Sequence, residues 1–195
     1  METMGVRCRD GVWRRLAAVL CVPVAVVSLL VGCGRDDPLN EPAERFEMVE
    51  IDQGRAVRLS AAEVTGGELV ALHLREPESD APVWESRIAE RDGRLQTVRL
   101  GATRGEVLGK RPGPALAGSE RQELKRLLEE TVLLPDEAAR EVADTKKGEV
   151  ATAMELERRN GDPVWTIGVL GVTDESVTVN VVDARTGEVL ERRPA

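Results

Sequence analysis

The groups able to do covalent or metal chemistry are few. His73 is the only histidine in 195 residues. A serine–histidine–acid site would need it beside a serine and a carboxylate. It lies instead mid-strand in "ELVALHLRE" (68–76), with arginine and glutamate nearby, where a surface or half-buried strand residue is the plainer reading. The three cysteines are Cys8, Cys21 and Cys33, so none falls after residue 33. Zinc usually collects several His and Cys ligands, which that inventory does not supply. No glycine-rich phosphate loop follows a strand. Carboxylates abound, with 35 Asp and Glu, but nothing singles out a pair spaced for glycoside chemistry. Asp183 with Glu188 would make a thin calcium ligand set. The alternative is a turn, with Asp183 accepting from turn amides and Gly187 supplying a positive φ. Aromatic pocket walls are scarce: no tyrosine, one phenylalanine (Phe46), and Trp13, Trp84 and Trp165. The expectation is a protein that is not an enzyme and carries no metal or cofactor.

The N-terminus supplies a different use for one thiol. Arg7, Arg9, Arg14 and Arg15 precede an uncharged apolar run, Leu16 to Gly34. The run ends in "LVGC" (30–33), which resembles the lipobox of bacterial lipoproteins. That resemblance implies a signal peptide over 1–32, cleavage after Gly32 and lipidation of Cys33, on the extracytoplasmic face of the cell membrane. An uncleaved signal anchor is the alternative, since the run is nearly long enough to span a bilayer. Residues 33–45 are polar and proline-bearing and read as a tether. Without residues 1–32 the chain keeps 23 basic against 33 acidic residues, a charge of −10. Such a balance disfavours nucleic acid and anionic headgroups as partners.

The elements downstream come in two sets. Setting Gly67 on Gly148 aligns the chain with itself: "PVW" falls on "PVW" (Trp84 on Trp165) and "GEVL" on "GEVL" (Gly105 on Gly187). This density of agreement predicts a tandem duplication. Each copy reads as a helix, about 44–65 and 135–146, followed by an antiparallel meander. Strands are expected at 68–76, 83–91 and 95–100, then from about 149, at 164–172 and at 177–182, each set ending in a short "EVL". Pro135, Asp136 and Glu137 suit a helix start. A further helix is expected over 119–134, capped by Ser119 and Gln122, with Leu124, Leu127, Leu128 and Val132 inward. Trp84 and Trp165, at equivalent positions, read as core anchors rather than binding residues.

Helix, meander, "PVW" and "VDARTGEVL" together resemble the PepSY family. The likeness is closest over 135–195. The segment 46–111 departs from it, with Gly101 where the later copy has Asp183, and Arg104 where it has Thr186. Residues 112–134 would be linker and connecting helix. The fold class expected is α+β: two tandem modules, each a helix packed on a small antiparallel sheet of three to four strands. Trp84, Trp165, Asp183, Gly105 and Gly187 would be structural anchors. The resemblance implies a non-catalytic, membrane-anchored protein-binding module that regulates or inhibits a peptidase. Its partner would be an extracytoplasmic protein, a peptidase among the candidates. Contacts would come from sheet residues facing away from the helices, Arg87 and Arg99, and from turns 78–81 and 159–162. The alternative is a structural or sensory envelope lipoprotein, accessory to a membrane receptor or an assembly system.

Overall fold

The computed structural model describes Phe46 and residues 48–172 and 174–195. The signal, Cys33 and tether readings lie outside these residues. In chain order the elements are α1 (Gln53–Ala62), β1 (Glu68–Arg75), β2 (Val83–Ala89), β3 (Leu95–Gly101) and β4 (Val107–Pro112). Then come α2 (Gly118–Glu130), α3 (Pro135–Val142), a 3-10 turn (Thr145–Lys147), β5 (Glu149–Arg159), β6 (Asp162–Gly171), β7 (Val177–Asp183) and β8 (Val189–Pro194). The fold is mixed α+β.

All eight strands form one antiparallel sheet, in the order β4-β3-β2-β1-β5-β6-β7-β8. The sequence pattern suggested two small sheets. The difference arises where β1 and β5 meet: Ala71, Leu72 and His73 pair with Glu155, Met154 and Ala153. Left apart, each would be an edge strand with a row of unpaired amides. Both chain halves place a bulge at the same point of their first hairpin, at Val70 and Thr152. Both place another beside the last strand, between Arg99 and Leu100 and between Val181 and Val182. The register corrects the sequence alignment by one residue. Gly66, at φ +66°, occupies the place of Gly148, at φ +74°, and the hairpin loops absorb the differences in length.

Leu124 of α2 packs with Val70, Ala89 and Leu95 in a small second cluster, the latter two on the opposite face of the sheet, whereas α1 and α3 share one face. Alternation along the strands sends Leu72, Leu74, Trp84, Ile88, Val98 and Leu100 to the α1 and α3 face from the first half. Met154, Leu156, Trp165, Ile167 and Val182 come from the second, in one continuous core. Each tryptophan fixes the chain just ahead of a helix. Trp84 Nε1 donates to Ile51 O at 2.8 Å, and Trp165 Nε1 to Leu133 O at 3.2 Å. Both segments are also bound through backbone: Glu50 and Ile51 amides to Ala102 O, Val132 and Leu133 amides to Ala184 O.

That tie explains why α1 is shorter than the helix expected over 44–65. Residues 50 and 51 spend their amides on Ala102, and Asp52 caps the helix by accepting from Arg55 N at 2.7 Å. The expected helix over 135–146 ends at Val142, and the 3-10 turn takes the rest. For α2 the predicted Ser119 cap is wrong. Ala117 precedes the helix and its amide donates to Glu120 Oε2 at 2.6 Å. The helix stops at Glu130, so Val132 stands outside it, 71% exposed, rather than on its apolar face. The last strands are also longer than "EVL", and β4 takes Pro112 from the expected linker. Each edge strand closes with two basic residues and a proline, Lys110-Arg111-Pro112 and Arg192-Arg193-Pro194, and both strands are almost wholly exposed.

Gly105 and Gly187 turn the chain into these last strands at φ +79° and +80°. Gly187→Ala is expected to cost about 1–2 kcal/mol, because a Cβ is strained at that φ although its space is open. At Gly105 the added Cβ would also lie 2.7 Å from Leu59 Cδ1, against 3.8 Å from Leu133 Cδ1 at Gly187. Gly105→Ala should therefore lose more, as read from urea midpoints of the two variants.

Candidate functional site

The sheet face turned away from α1 and α3 differs between the halves. Cross-strand register puts His73, Arg75, Glu85, Arg87, Arg99 and Arg111 on this face in β1–β4. In β6 and β7 the matching rows carry Thr166, Gly168, Val179 and Val181, none charged. The face thus brings Arg87 and Arg99 together, on neighbouring strands. It does not bring the two predicted turns together. The β1–β2 connection containing 78–81 lies at one end of the sheet and the β5–β6 turn at 159–162 at the other, as the antiparallel β1–β5 register requires. The latter turn is also held down. Arg158 Nη1 donates to Gly161 O at 2.6 Å, and Arg185 Nη1 pairs with Asp162 at 2.8 Å.

His73 sits where the halves join and is 5% exposed, which corrects the reading of a surface or half-buried residue. Its burial follows from β1 being a central strand, flanked by both β2 and β5. Arg75 Nη2 approaches Nδ1 at 3.1 Å, leaving Nε2 to carry the proton that faces Glu155 Oε1 at 3.2 Å. That second approach is poorly directed for a hydrogen bond. Arg87 Nη2 donates to the same Glu155 oxygen at 2.7 Å. The sequence pattern gave no signal for this cluster, since Glu155 and His73 are 82 residues apart and meet only through strand pairing.

Glu155, Glu130 and Asp183 are among five carboxyls held below their ordinary range, with Asp92 and Asp174. For Glu155 the His73 contact is the largest cause, burial opposes it, and the charges of Arg87 and Arg75 add to it. Glu130, at the end of α2, is lowered chiefly by hydrogen bonds from Arg158 and Arg185, with burial opposing. Asp183 is lowered by the amides of Arg185 and Thr186, at 2.7 and 2.9 Å. A depressed carboxyl stabilises the fold fully above its unfolded pKa, and that stability is lost as pH falls through the folded value. Stability should therefore be flat near neutrality and fall as pH drops below about 4. Glu155→Gln should flatten that fall, as measured by the urea midpoint at successive pH values.

Asp183 thus spends Oδ1 on turn amides, and among the described residues no cluster of three or more His, Cys, Asp or Glu is placed to hold a metal. Trp84 and Trp165 are 0% and 1% exposed, on the α1 and α3 side of the sheet.

Residues 133–193, from the segment ahead of α3 through β8, match the family model described as "Peptidase propeptide and YPEB domain". This is a match to the PepSY family over these residues. The PepSY match begins at the residue whose carbonyl receives the Trp165 indole and takes in Asp183 and Gly187. No curated protein matches the chain. One crystal structure, from Clostridium difficile 630 and described as a "putative lipoprotein", is similar at 16% identity, covering 75% of this chain and 95% of its own, with a TM-score of 0.47. Among the described residues no helix is long and apolar enough to cross a membrane.

Proposed function

We propose that the chain is a lipid-anchored extracytoplasmic protein, built from two copies of a PepSY-like module, that binds a peptidase and restrains it without catalysis. The observation that carries this reading is the PepSY match over 133–193, whose description names peptidase propeptides. The matching bulges, the paired tryptophan contacts and the paired backbone ties to Ala102 and Ala184 support a common origin for residues 46–111 and 135–195. With α1 and α3 on one face of the sheet and α2 touching the other only around Ala89 and Leu95, much of that second face is open to a folded partner.

The test is to titrate the full chain, reconstituted in phosphatidylcholine vesicles, against metallopeptidases secreted by the same cell. Saturable loss of peptide hydrolysis is the expected result. Unchanged hydrolysis at every ratio would remove the peptidase from the reading.

The anchor rests on "LVGC" and the apolar run before it. Each buried lipid methylene contributes about 0.8 kcal/mol to membrane attachment. Cys33→Ser should abolish incorporation of labelled fatty acid and release the protein from the membrane fraction. Labelling that persists in the variant would place the lipid elsewhere.

A further inference from the structure

The face of β1–β4 turned away from α1 and α3 carries charges that its fold does not require. Arg75, Arg87, Arg99 and Arg111 stand on it beside Glu85 and, from β5, Glu155. Four guanidinium groups, with Lys110 at the rim, against Glu85, Glu155 and Glu76 make a net positive patch on a chain whose formal charge is −8. At the rows where the other half has Thr166, Gly168 and Val181, this half has Glu85, Arg87 and Arg99. The same arrangement of strands therefore forms with neutral residues there.

The pairing within the patch leaves cationic capacity over. Glu155 is used by Arg87. Glu85 is shared between Arg75, at 3.8 Å, and Arg111, at 3.4 Å, both long contacts. Arg99 is exposed and, among the described residues, has no ion-pair partner. The surface here is concave. Two depressions, of about 640 and 500 Å³, share Arg75, Glu85 and Arg111 and so form one trough. Its floor is low at Gly109, which has no side chain, and Pro112 to Pro114 make one wall. The Gly113 amide, bound to Leu95 O at 2.8 Å, seats that wall.

We propose that this trough binds an acidic extended segment of a partner protein, with Arg99 and Arg111 taking its carboxylates. This rests on the reading of the chain as a protein-binding module and names the chemistry of what it binds. Guanidinium groups suit carboxylates because two parallel N–H donors match two oxygens. Glu85 and Glu155 break the patch into spaced positive points. Such spacing favours a peptide with separated carboxylates over a continuous polyanion. The overall negative charge works in the same direction, repelling extended anionic surfaces at a distance.

The probe is a fluorescent ten-residue glutamate-rich peptide, titrated by anisotropy into the full chain in neutral detergent, with a glutamine-rich peptide as control. The acidic peptide should bind, weaken with added salt, and lose about tenfold or more in affinity in Arg99→Glu/Arg111→Glu. Both residues are exposed, and an unchanged circular dichroism spectrum and urea midpoint establish that the variant is folded. Arg193→Glu, in the row of β8 that matches Arg111, should leave binding unaltered. Absence of binding, or equal loss in Arg193→Glu, overturns the proposal. Phosphatidylglycerol vesicles that bind more tightly than the peptide, and are lost with Arg99 and Arg111, would reassign the face to a membrane and also overturn it. Binding that appears only when Asp36, Asp37, Glu41 and Glu44 are changed to amides would assign the trough to the chain's own tether, with the same consequence. The two readings fail separately. Peptide binding without restraint of a peptidase removes the peptidase alone. Peptidase restraint that survives Arg99→Glu/Arg111→Glu removes the trough alone.

Discussion

Trp84→Ala lowers the stability of the fold by about 3–5 kcal/mol, the cost of emptying a large buried aromatic site. Domains of this kind hold only about 5–15 kcal/mol in total, so the variant has a markedly lower urea midpoint and a population of unfolded chain. Two losses combine at this residue. The ring is completely buried between sheet and α1. Its N–H is also a hydrogen-bond partner of the Ile51 carbonyl, at 2.8 Å, which holds the segment leading into α1. Trp84→Phe separates them: it keeps most of the apolar contact and strands the carbonyl, for about 1–3 kcal/mol. Trp165 repeats the arrangement with Leu133 O, at the longer distance of 3.2 Å. Trp165→Phe should therefore cost less than Trp84→Phe. A loss below about 1 kcal/mol in Trp84→Ala would mean that the backbone ties to Ala102 hold the segment unaided.

The second large effect lies where β1 meets β5. Leu72 and Met154 are opposite each other in that register, both wholly buried on the α1 and α3 side. Each alanine variant should lose about 2–5 kcal/mol. The double variant should lose less than the sum, by a coupling of about 0.5–3 kcal/mol, since the two cavities merge and share neighbours. Because one core runs through both halves, unfolding should be a single transition in calorimetry and in circular dichroism. Two resolved transitions, with Leu72→Ala moving one and Met154→Ala the other, would show that the halves fold independently and that their pairing contributes little.

Much of the architecture could be read from the sequence because it depends on local patterns. Alternating residues in 95–100 and 177–182 announce strands, and Pro135 with Asp136 and Glu137 announces α3. The departures have tertiary causes. Residues 46–50 have helix-compatible side chains, but the amides of Glu50 and Ile51 are taken by Ala102, a residue half a hundred positions away. Ser119 looks the better cap, yet Glu120 reaching back to the Ala117 amide starts α2 earlier. His73 looks like a strand residue open to solvent until β5 covers its second side. The candidate face was legible only in part. Arg87 and Arg99 follow from strand alternation. The contribution of Arg111 depends on β4 running on to Pro112, and that of Glu155 on the joining of the halves.

The endings of the two outer strands bear on how the molecule behaves in a crowd. An open sheet with bare backbone along both margins is a template on which further copies could stack into fibres. Here each margin finishes in Lys110-Arg111-Pro112 or Arg192-Arg193-Pro194. A second copy arriving in register would set cation against cation, and proline has no amide to offer the growing ladder. Polymerisation is discouraged at both ends of the sheet at once. One particular route of association, edge to edge, is thereby opposed by the same three-residue device on each side.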